Sequence, residues 1–125
     1  MVTKNVMYFT DKEVEFVHLL VNIGIQRTVA TVLVFLANTT GATSRDIERG
    51  TDLRQPEVSS AMKILTGRAW VKSHEIPQGH RGGRPSRVYD LAKPLTGIMD
   101  CIEKETKDKA RDKLALFRKL QDYLP

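Results

Sequence analysis

The sequence predicts a mainly α-helical fold with one small β-hairpin, continued by a single long helix. Three observations carry that prediction. Apolar residues recur at helical spacing in four short blocks before residue 67. A nine-residue run, Pro77 to Pro85, holds three glycines and two prolines between two strand-like segments. From Pro94 to Leu124 the pattern is helical again, with Gly97 as its weak point.

The first helix is expected over about Asp11 to Ile23. Thr10-Asp11-Lys12-Glu13 has the form of a capping box, in which two side chains satisfy two orphan backbone donors. Val14, Val17, His18, Val21 and Ile25 follow at helical spacing, and Gly24 closes the element. His18 is placed at the edge of the core. The next block, Gln26 to Ala37, is rich in β-branched residues, yet Val29, Val32, Leu33 and Leu36 share one helical face. Its length exceeds that of a usual strand, so a buried helix is expected, with Asn38 to Gly41 as a turn.

Thr43-Ser44-Arg45-Asp46 opens a short helix by the same capping logic, and Gly50 is expected to stop it. Thr51-Asp52-Leu53 reads as a turn with Leu53 buried. Pro56 suits the first position of the next helix, where its missing N–H costs nothing. Val58, Ala61, Met62 and Leu65 form the inward stripe of that helix, which runs to Gly67. Trp70 to Ile76 and Arg87 to Leu91 are the two strands. Helix, tight turn, helix and basic hairpin, in that order, is the layout of a winged helix-turn-helix, assigned to residues 1–92; residues 93–125 form a C-terminal dimerisation helix.

Charge is distributed unevenly along this layout. The chain carries a net charge of +5. Residues 1–42 are neutral, 43–92 contribute +3 and 93–125 contribute +2. Between Gln78 and Tyr89 stand three arginines and no acid. Local positive charge of this kind favours a polyanionic partner.

The outward side of the Pro56 helix carries Ser60 and Lys63, flanked by Ser59 and Glu57, with Arg54 and Gln55 just before it. Such side chains read base edges: arginine bonds guanine, glutamine bonds adenine, and serines reach phosphate or either edge. The bland alternative is a solvated helix face, and the flanking elements favour recognition. Glu57 either accepts from cytosine or stabilises the helix N-terminus. In the hairpin, His80, Arg81, Arg84 and Arg87 suit phosphates and a narrow minor groove, and a solvated hairpin is the alternative. Gly79 to Ser86 lacks the Gly-Lys-Ser/Thr ending of a nucleotide-binding loop.

Ala42 to Ile47, Leu53 to Leu65 and Trp70-Val71 resemble the DNA-binding domain of TrmB-like winged-helix transcriptional regulators, and the MarR and ArsR groups share the layout. That resemblance covers about residues 11–92. It implies a homodimer on double-stranded DNA, with Arg54, Gln55, Ser59, Ser60 and Lys63 reading or docking. Thr43, Ser44 and Arg45 would touch phosphate near a helix N-terminus. The large sugar-binding domain of TrmB proteins has no counterpart here, so no small-molecule effector is assigned. The same scaffold can also serve as a protein-interaction or RNA-binding module.

About thirty residues of terminal helix span ~45 Å, more than a small domain covers with its own core. Leu95, Met99, Ile102, Leu114, Phe117 and Leu124 are expected to form a dimerisation seam, although the charged centre from Glu103 to Lys109 interrupts a coiled coil. A tail folded back on its own domain is the alternative.

Other functions find little support. His18, His74 and His80 are scattered and Cys101 is the sole cysteine, so neither a metal centre nor an internal disulfide is expected. No nucleophile–base set is legible, so no enzymatic activity and no cofactor are expected. Val29 to Ala37 is too short to span a bilayer, and the first ten residues lack a signal-type apolar run. A cytoplasmic protein is expected.

Overall fold

The computed structural model describes residues 9–77 and 86–125. Five helices and one hairpin follow in order: α1 (Asp11–Asn22), α2 (Arg27–Ala37), α3 (Ser44–Thr51), α4 (Gln55–Gly67), β1 (Val71–Ile76), β2 (Ser86–Leu91) and α5 (Leu95–Asp122). They form two compact units, Met1–Lys93 and Pro94–Pro125.

The block with divided propensities is helical. α2 buries Val29, Ala30, Val32, Leu33, Val34, Phe35 and Leu36, because α1, α3, α4 and β2 all pack on it. Burial nearly all round explains why its β-branched residues do not favour a strand: tertiary contact outweighs a propensity difference of a few tenths of a kcal/mol. α4 contributes Val58, Ala61, Met62 and Leu65 to the same core, as its spacing predicts.

Both threonine capping boxes form. Thr10 Oγ1 accepts from the Glu13 N–H at 3.3 Å while Glu13 Oε1 accepts from the Thr10 N–H at 2.7 Å. Thr43 and Asp46 repeat the exchange at 3.1 and 3.0 Å. α1 ends one residue earlier than its pattern predicts, with Ile23 as cap and Gly24 at φ +108°. The inward residues of α1 are Val17 and Leu20, whereas Val14 and His18 lie exposed; the stripe is rotated from the predicted one because α2 covers only that side.

Three details of the helix-turn-helix differ from expectation. α3 runs through Gly50 to Thr51 and is ended by Asp52 in the left-handed region at φ 61°. Gly50 serves packing instead: a Cβ there would stand 2.0 Å from the Phe35 ring. Leu53 is only half-buried, and the buried residue of the turn is Thr51, whose hydroxyl donates to the Ile47 carbonyl and accepts from the Leu53 N–H. α4 begins at Gln55, which puts Pro56 second; proline is tolerated throughout the first turn.

β1 and β2 pair antiparallel from Val71 opposite Leu91 to Ile76 opposite Ser86. Trp70 stands just before β1, buried, with its N–H given to the Leu65 carbonyl and its carbonyl accepting from Ala92. The hairpin is also tied to the segment before α3. Ala42 and Tyr89 exchange backbone bonds of 3.1 and 2.8 Å, and Asp90 Oδ1 accepts from the Gly41 N–H at 2.7 Å. The start of α3 and the wing are therefore held in one frame.

α5 is a continuous helix despite Gly97. Its buried residues are Ile98 and Ile102, and Cys101 is half-buried. Leu114, Leu116, Phe117, Leu120 and Leu124 are each more than half exposed.

Candidate nucleic-acid interface

α4 presents its outer side in two strips. At about 100° per residue, Gln55, Ser59 and Lys63 fall nearly in line, one turn apart. Ser60 lies about 100° round from Ser59, on the side away from the buried stripe. All four are exposed, as is Arg54 at the helix cap.

Gln55, Ser59 and Lys63 line a groove together with residues of α3 and the wing. Ser44 and Glu48 border it from α3, Met62 and Thr66 from α4, and Ser73, Arg87 and Tyr89 from the hairpin. Residues from three elements thus converge on one concave surface. Among the described residues that line it, the cations are Lys63 and Arg87 and the acid is Glu48.

The predicted residues that fall within the described segments can be placed against this surface. Ser44, Gln55, Ser59, Lys63 and Arg87 border the groove together. Arg54 and Ser60 are exposed on the neighbouring surface of α4, and Arg45 is exposed in the first turn of α3. Thr43 already uses its side-chain oxygen as a cap. His80, Arg81 and Arg84 lie outside the described residues. Of the two roles open to Glu57, the structure shows the one at the helix start: Oε1 accepts from the Arg54 N–H at 3.0 Å.

Arg87 is engaged within the hairpin rather than extended alone. Its Nη1 donates to Ser73 Oγ at 3.0 Å and its Nη2 to Glu75 Oε2 at 3.2 Å. Sequence reading passed over Glu48, Thr66, Ser73 and Tyr89. Glu48 stands four residues after Ser44, one helical turn along the same side, whereas Ser73 and Tyr89 join the groove only through strand register, as a pair on the same hairpin face as Glu75 and Arg87.

Residues 23–82 match the model of the MarR family. The fold is the MarR-type winged helix. A possible transcriptional regulator from Methanosarcina mazei Go1 superposes with a TM-score of 0.62 at 17% identity, covering 90% of this chain and 89% of its own. Wild-type MarR from E. coli, in its apo form, gives 0.54 at 15% identity, covering 91% and 90%. The transcriptional repressor CouR, solved bound to a 23-mer DNA duplex, gives 0.51 at 16% identity, covering 99% and 92%. At such identities the likeness is one of fold. No curated protein sequence matches the chain. The sequence pattern had pointed first to TrmB-like regulators, with MarR among the groups of shared layout; the family model that matches is MarR.

The described residues hold no cluster of three potential metal ligands and no helix long and apolar enough to cross a membrane.

Proposed function

We propose that this chain is a homodimeric transcriptional regulator that binds a specific site on double-stranded DNA. The observation that carries this reading is the convergence of α3, α4 and the wing on one groove within a MarR-type winged helix. α4 enters the major groove, where Arg54, Gln55, Ser59, Ser60 and Lys63 meet base edges or the adjoining phosphates. Ser44 and Arg45 at the start of α3 meet phosphate, with Thr43 capping that turn. His80, Arg81, Arg84 and Arg87 of the wing follow the flanking backbone.

Dimerisation runs through α5. Its exposed leucines and Phe117 form an apolar surface that a second copy would cover. Two copies of α4 about one DNA turn apart, ~34–36 Å, require a roughly palindromic site. Residues 1–92 act as the DNA-binding domain and 93–125 as the dimerisation helix. The protein works without catalysis or cofactor, in the cytoplasm where such DNA is accessible. The pattern of Leu53 to Leu65 supports kinship with TrmB-like domains as well.

Selection from random duplex DNA at two salt concentrations tests the proposal. Enrichment of a short inverted repeat is the expected result. Retention without enrichment would favour an RNA-binding or architectural role, and no retention at low salt would favour a protein-interaction module.

A further inference from the structure

The wing contains one ion pair whose position matters for any polyanion reaching the groove. Glu75 and Arg87 are direct partners across the strands, and Ser73 lies two residues along the same face. Together Ser73 and Glu75 take one N–H from each terminal nitrogen of the guanidinium. Arg87 also borders the groove opposite Ser59 and Lys63. The Arg87 and Glu75 side chains are 51% and 58% exposed, so a phosphate can reach either.

We infer that Glu75 occupies Arg87 in the free protein as an internal substitute for DNA phosphate, and that binding exchanges the carboxylate for a phosphate. This rests on the DNA-binding reading above. Carboxylate and phosphate oxygens accept the same guanidinium N–H groups in similar geometry. While the pair is closed, the charge of Arg87 is compensated, so meeting a phosphate first costs the opening of the pair. An exposed pair of this kind is weak and opens readily. Ser73, being neutral, can keep its bond and aim the guanidinium after Glu75 leaves. Glu75 thus holds back sequence-independent affinity at the flank and leaves more of the discrimination to α4.

The test compares wild type, Glu75→Gln, Arg87→Ala and the double variant on a duplex of random sequence, by fluorescence anisotropy from 50 to 200 mM salt. Circular dichroism verifies that each is folded. Glu75→Gln should bind about three-fold tighter at low salt with the log–log salt slope unchanged, because Arg87 meets the same phosphate in both complexes. A slope steeper by about 0.9 would mean that the pair stays closed in the wild-type complex and would overturn the exchange. In the Arg87→Ala background the same change should do nothing. An equal gain in both backgrounds would reduce Glu75 to a general repulsive charge and overturn the exchange. Weaker binding by Glu75→Gln, or no change, would also overturn it. Salt elution from heparin, run in parallel, separates this inference from the functional reading. If wild type fails to bind duplex DNA, that reading falls. The exchange then stands only if Glu75→Gln elutes later from heparin in an Arg87-dependent way, and falls if it does not.

Discussion

α2 and the distal part of α5 are both marked by leucines and aromatics at helical spacing, yet they meet opposite fates. α2 buries seven of its eleven residues among four neighbouring elements. α5 leaves Leu114, Leu116, Phe117 and Leu120 more than half exposed, as are Tyr123 and Leu124 just beyond its end. The same pattern therefore means a finished core in one place and an unfinished one in the other. Periodicity says which side of a helix is apolar; it does not say whether the covering surface belongs to the same chain.

The alignment of the α5 residues sharpens the point. At 3.6 residues per turn, Leu95, Met99, Ile102, Phe117 and Leu124 of the predicted seam share a face with Leu116, Leu120 and Tyr123, whereas Leu114 lies off it. The seam is therefore broader near the C-terminus than the sequence reading drew it. Lys109 and Lys113 interrupt it in the middle, where Glu103 to Lys109 is almost wholly charged.

Two experiments break or refine the contrast between the two helices, and others test the groove and the caps. The largest effect is expected in α2. Leu33→Ala should cost about 2–5 kcal/mol of unfolding free energy, seen in urea titration and independent of protein concentration. Replacing both Phe117 and Leu120 by aspartate should leave the unfolding of the winged body unchanged and weaken self-association by about 100-fold in sedimentation equilibrium. If that pair of changes instead unfolds the protein, the α5 seam is part of a core within the chain.

Smaller effects are expected at the groove and the caps. Arg54→Ala should cost on the order of 1–3 kcal/mol on the selected site and relax preference there, whereas Arg81→Ala with Arg84→Ala should weaken all duplexes alike and flatten the salt slope. Equal loss of both kinds in both variants would mean that helix and wing do not divide these tasks. Thr43→Ala should lower stability by about 1 kcal/mol in thermal unfolding, since it removes only the acceptor for the Asp46 N–H.

Local chemistry determined much of this protein. The capping residues Thr10 and Thr43 and the buried stripe Val58–Ala61–Met62–Leu65 act within a few residues of themselves. Each is legible without neighbours, because hydrogen bonds and helical spacing at i, i+3 and i+4 are written in the chain order. The element order that follows from them points to the winged helix before any contact is known. Tertiary structure alone decided the rest. Gly50 reads as a helix stop until Phe35 is brought against it, fifteen positions away in the sequence. Arg87 reads as a free wing cation until strand pairing sets Glu75 opposite it. Glu48 joins the groove only once α3, α4 and the wing come together. Each of these depends on residues that meet only after folding, and the energy of such meetings is set by packing and pairing that no local window contains.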